Sequence, residues 1–114
     1  MSKRKPDVYL QDIFESILQI EEYLDDVNEN EFYRNSQKQD AVLRRLEIIG
    51  EAAKHISEEI RDKYDDVPWR RIAGMRDIII HEYFGITLSM VWVVAKRDLP
   101  NLKSRIEKII KDNP

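Results

Sequence analysis

The sequence predicts an all-α protein, an up-down bundle of four to five helices. Three observations carry that expectation. Apolar residues recur three and four positions apart over long windows, the repeat of an amphipathic helix, and no stretch reads as a strand. Only 3 Gly and 4 Pro punctuate 114 residues, of which 42% are hydrophobic and 36% charged, a mix suited to long helices around a packed core. There is no cysteine, so neither a disulfide framework nor a thiolate metal site shapes the fold. At this length one domain is expected, covering residues 1–114.

The first helix is expected from Asp7, just after Pro6, with Leu10, Ile13, Phe14, Ile17, Leu18, Ile20 and Leu24 at helical spacing until Asn28 and Asn30 interrupt it. Glu31 to Gln39 is polar, and Phe32 and Tyr33 fit either a short helical turn or a packed loop. From Asp40, a good N-cap, Val42, Leu43, Leu46, Ile49, Ala53, Ile56, Ile60 and Tyr64 keep one period and predict the longest helix. Gly50 in its middle costs ~1 kcal/mol relative to alanine, which points to the close approach of a neighbouring backbone, a second subunit being one candidate. Pro68 suits the first position of a short helical turn to Ala73. Gly74 is expected to hinge into the next helix, with Gly85 as its C-terminal stop. Thr87 or Ser89 can cap a helix over Met90 to Leu99, which Pro100 kinks or divides from a last helix through Ile110.

Net charge is −3 with a pI of about 5.4, which argues against broad electrostatic binding to nucleic acid. The distribution is uneven. Asp7 to Glu31 carries nine acidic residues and no basic one, whereas Lys96 to Lys111 carries six basic residues against Asp98 and Glu107. Two readings fit: solvated helix faces, or an acidic face for a protein partner and a basic face near RNA. The apolar run Met90 to Ala95 is far short of the ~18 residues of a membrane span. No apolar run follows Met1, so a signal peptide is not expected and the location should be cytoplasmic.

The chemistry concentrates in Arg76-Asp77-Ile78-Ile79-Ile80-His81-Glu82-Tyr83. At ~100° per residue, apolar side chains cover most of this helix and Asp77 and His81 share a narrow polar stripe one turn apart. The Asp77 carboxylate can fix the His81 tautomer and raise the basicity of the free ring nitrogen. Arg76 stands at the edge of an apolar face, where an unpaired guanidinium is costly and needs an acidic neighbour or a bound anion. Histidine can carry the two proton transfers of RNA cleavage and arginine can stabilise the charged phosphorane. One chain supplies one such pair; a two-fold dimer would double it in a shared cleft. By spacing alone, an Arg76/Asp77 ion pair and a satisfied, half-buried His81 are the favoured explanation of the motif.

Context decides between them. Leu46 to Ala53, Pro68 to Arg76, and Arg76 to Tyr83 followed by Phe84-Gly85 together resemble the HepT-like branch of the HEPN superfamily, toxin partners of MNT-type minimal nucleotidyltransferase antitoxins. The resemblance runs over nearly the whole chain and keeps the Arg-x4-His-x-Tyr signature. It implies a homodimer with its cleft at the interface, alone or within a larger complex with the antitoxin. It also implies metal-independent RNA endonuclease activity needing no cofactor, with Arg76 and His81 catalytic, Asp77 supporting them and Tyr83 the site of AMP transfer that silences the toxin. The wheel places Tyr83 within ~20° of Arg76, so a phosphate added there would occupy the arginine's own face.

Other candidates are weaker. His55 reads as a surface residue, Trp69 and Trp92 as core more than as base-stacking rings, and Glu51 as a resting partner for Arg76 across helices. No residues show metal-ligand spacing. The rival to a ribonuclease is a non-catalytic nucleotide-binding or interaction module that partners a nucleotidyltransferase.

Overall fold

The structure, a computed structural model, describes residues 6–81 and 87–113, with side chains at 8–76 and 87–113. Its elements are α1 (Pro6–Tyr23), α2 (Glu29–Tyr33), α3 (Ser36–Lys54), α4 (Glu58–Lys63), α5 (Trp69–His81), α6 (Leu88–Val93), a π-helical turn (Val94–Asp98) and α7 (Leu99–Asp112). Among the described residues there is no strand, and the all-α class holds. The count differs from the expected four or five helices because α2, α4 and α6 are short pieces between the long α1, α3, α5 and α7. No described helix is long and apolar enough to cross a membrane.

The helical period becomes packing directly. Leu10, Ile13, Ile17, Ile20 and Leu24 form the buried seam of α1, with Leu99, Leu102, Ile106 and Ile109 on α7 and Val42, Leu46, Ile49 and Ala53 on α3. α3 packs against α1 on one side and α5 on the other, and α7 covers α1. Of the two readings open for Phe32, the helical turn is correct: it lies in α2, fully buried, with its ring 5.6 Å from that of Trp92.

The long helix expected from Asp40 to Tyr64 is two helices. Asn35, not Asp40, caps α3 by accepting from the Lys38 N–H, and the helix stops at Lys54. Ser57 then accepts from the Ile60 N–H and starts α4. The carbonyls freed at the break are taken by Arg61, whose Nη2 donates to Ala53 O at 2.7 Å and whose Nε donates to Ile56 O at 3.0 Å. The C-terminus of α1 is finished the same way, by Lys38 Nζ donating to Tyr23 O and Lys96 Nζ to Leu24 O.

α5 runs without interruption through Gly74, so the expected hinge is absent. The expected stop at Gly85 lies outside the described residues. Of the two caps expected, Thr87 and Ser89, it is Thr87 that caps α6, accepting from the Met90 N–H, and the helix starts at Leu88 rather than Met90. The division expected at Pro100 takes the form of a π-helical turn over Val94–Asp98, after which α7 starts at Leu99. The Leu99 N–H bonds Val94 O five residues back, and that wide turn leads into α7 with Pro100 in its first turn, where its missing N–H costs least.

The charge asymmetry is in part neutralised inside the fold. Lys103 Nζ meets Glu21 Oε1 at 2.9 Å, joining the basic α7 to the acidic α1, and Arg105 pairs with Asp66.

Candidate active site

Gly50 sets the position of Arg76. A Cβ at residue 50 would lie 2.8 Å from the Arg76 backbone nitrogen and 2.9 Å from its Cβ, with Ile72 O at 3.2 Å. α3 and α5 therefore cross in near backbone contact at the first residue of the motif. The close neighbour that Gly50 announced is α5 of the same chain rather than a second subunit.

One residue further along α3, Glu51 reaches Arg76. Its Oε2 lies 2.6 Å from Arg76 Nε, with the two side chains 47% and 33% exposed. This is a contact ion pair rather than an aligned hydrogen bond: the oxygen is buried and has no well-oriented donor among the described residues. The cross-helix partner expected for Arg76 is thus in place. Being half open to water, the pair adds at most ~1 kcal/mol to stability; its consequence is to hold the guanidinium against α3.

The other Glu51 oxygen, Oε1, lies 3.4 Å from His55 Nε2. His55 stacks on Tyr9 of α1, with ring centroids 4.9 Å apart and planes inclined by 17°. These residues line a cleft of about 380 Å³ between α1, α3 and α5, to which Asp12, Arg44 and Glu47 also contribute. Arg44, Glu47, Glu51 and His55 follow one another at three- and four-residue spacing, so one polar strip of α3 forms the wall. His55 is on the surface as expected, but it belongs to the cleft that contains Arg76. Arg44 is announced only by the spacing of the polar strip from Arg44 to His55, opposite the buried seam of α3. Tyr9, on α1, carried no signal in the sequence.

Of the residues expected to act, Arg76 is placed on the cleft. Asp77 and His81 lie on α5, but their side chains are outside the described residues, as is Tyr83. Trp69 and Trp92 are structural. Trp69 is 5% exposed with Nε1 donating to Tyr64 O, and Trp92 packs on Phe32 beneath the Lys96 ammonium.

Comparison with known proteins bears on the whole chain. Residues 13–109 match the family model described as Ribonuclease HepT-like. This chain belongs to the HepT-like family. A Methanocaldococcus jannaschii protein named provisionally as an RNase is 43% identical over 94% of this chain and 98% of its own length. A Thermococcus cleftensis protein named provisionally as ribonuclease HepT is 42% identical over 96% of this chain and 99% of its own. A third relative, also from M. jannaschii, is named as a gamma-glutamylcyclotransferase and provisional RNase; it is 50% identical over 92% of this chain, which spans only 47% of that protein. No solved structure matches. HepT-like membership places the chain among ribonucleases, with RNA as the substrate class.

Proposed function

We propose that this chain is the ribonuclease toxin of a toxin–antitoxin pair, a metal-independent RNA endonuclease whose composite site forms where two copies meet. The observation that supports it is the Arg76 constellation, in which the first motif residue is carried to an open cleft by the Gly50 crossing and held there by Glu51. In this reading an RNA phosphate displaces the Glu51 carboxylate. The planar guanidinium then stabilises the phosphorane bidentately. His81 takes the proton from the ribose 2′-OH and protonates the departing 5′ oxygen, with Asp77 one turn away orienting its ring.

On one helix Arg76 and His81 stand ~140° apart. A single copy does not present them side by side, which is the reason for placing the phosphate between the Arg76 of one copy and the His81 of the other. Tyr83 is the proposed site of AMP transfer by an MNT-type nucleotidyltransferase. An added phosphate on the arginine's face would compete with RNA for the guanidinium.

Expression of the wild type against His81→Ala and Arg76→Ala tests the reading. Growth arrest and RNA decay are expected from the wild type alone, and equal effects from all three would discard it. Co-expression with a neighbouring nucleotidyltransferase tests the regulation: the intact mass should rise in multiples of one AMP, and Tyr83→Phe should abolish the gain. A gain that persists in Tyr83→Phe would place the modification elsewhere.

A further inference from the structure

We propose that the Tyr9–His55 stack is a nucleobase platform, a subsite that takes the base of an RNA nucleotide while its backbone runs along the cleft rim at Arg44 and Arg76. The inference rests on the ribonuclease reading for its RNA ligand. It stands on the Tyr9–His55 stack, which the proposed cleavage step does not use, beside the Arg76 and Glu51 that it does.

Tyr9 is anchored against the hydrophobic core. The His55 side chain is 51% exposed and stands at the C-terminal cap of α3. Tyr9, on another helix, covers one face of the imidazole at 4.9 Å and leaves half of the side chain open to solvent. The two near-parallel rings end at a half-exposed imidazole, which a third flat ring can extend, and base–aromatic stacking contributes ~1–3 kcal/mol per base. The cleft volume of about 380 Å³ falls in the range of small-ligand pockets, ~300–1,000 Å³.

The charges of the cleft select which part of a nucleotide enters. Three carboxylates, Asp12, Glu47 and Glu51, face two guanidiniums, Arg44 and Arg76. Each arginine is already drawn to a carboxylate, Arg44 to Glu47 at 3.5 Å and Arg76 to Glu51 at 2.6 Å. Carboxylates on the floor disfavour the phosphodiester there, and each keeps lone pairs that can accept hydrogen bonds from a base edge. Adenine, cytosine and guanine carry an exocyclic amino group that donates to a carboxylate; uracil offers only its N3–H, flanked by two carbonyl oxygens that the carboxylates disfavour. The platform is therefore expected to prefer amino-bearing bases over uracil.

The test is an NMR titration of the full chain with millimolar AMP, CMP, GMP and UMP, observing the ring protons of His55 and Tyr9. The three amino-bearing nucleotides should shift both rings, with UMP at least about tenfold weaker. His55→Ala should abolish the response of Tyr9, and His55→Phe, which keeps a flat ring, should restore it. Rings that stay unmoved by all four nucleotides would overturn the platform, and an equal response to UMP would overturn its reading of the base edge. On RNA, His55→Ala should raise KM about tenfold with kcat little changed, again rescued by His55→Phe. A fall in kcat that His55→Phe does not rescue would make His55 a proton-transfer group instead. A wild type that cleaves no RNA yet shows the ring shifts would sink the ribonuclease reading and leave the platform standing.

Discussion

Two glycines on packed helices make opposite predictions. At Gly50 a methyl group would meet the Arg76 backbone at 2.8 Å, and at Gly74 it would meet nothing within 4 Å. Gly50→Ala gains ~1 kcal/mol of helix propensity but forces α3 and α5 apart against an overpacking cost of ~1–3 kcal/mol. A net loss of roughly 1 kcal/mol is expected, together with impaired cleavage because Arg76 moves. Gly74→Ala keeps the propensity gain and should stabilise by ~0.5–1 kcal/mol. Urea midpoints for the two variants check this, and a shift in the same direction for both would contradict the crossing geometry. Glu51→Gln separates positioning from stability: unfolding should change by less than ~1 kcal/mol, as expected for a half-exposed pair, while RNA affinity changes through Arg76. Normal RNA affinity in Glu51→Gln would show that the carboxylate does not govern the arginine.

Among elements, the caps carry energies that can be measured. Ser57→Ala removes the acceptor for the Ile60 N–H and should cost ~1 kcal/mol, as should Thr87→Ala at α6; thermal unfolding of each variant checks the cost. Features set by a local rule were legible in the sequence: the α1 seam from Leu10 to Leu24, the Thr87 cap, and the crossing and ion pair announced by Gly50-Glu51. The break at His55 to Ser57 was not, because Ile56 and Ile60 keep the apolar period across it and the decisive bonds come from the Arg61 side chain. Nor was the form that the division at Pro100 takes, a single wide turn over Val94–Asp98. The Tyr9–His55 stack joins two helices more than forty positions apart, and no local window contains such a pairing.

At the scale of the whole molecule, the fold explains how an acidic chain can belong to a ribonuclease family. Lys103–Glu21 is one pair that offsets charge within the bundle, and in the proposed reading RNA is held by a few cations at one cleft rather than by a broad basic surface. Affinity should consequently depend only weakly on salt, since each phosphate contact contributes a log–log slope of about −0.7 on a single strand. A steep slope, equivalent to many contacts, would contradict this. The composite site proposed above makes a further demand on the assembly. Mixed dimers of Arg76→Ala with His81→Ala should recover part of the activity that each variant lacks alone. The most direct measurement is cleavage of single-stranded RNA by the purified chain in excess EDTA, with the product ends identified. The wild type should yield 2′,3′-cyclic phosphates, and Arg76→Ala and His81→Ala should each be slower by roughly 10²-fold or more. Cleavage that requires an added metal ion, or that proceeds equally in all three proteins, would contradict the account.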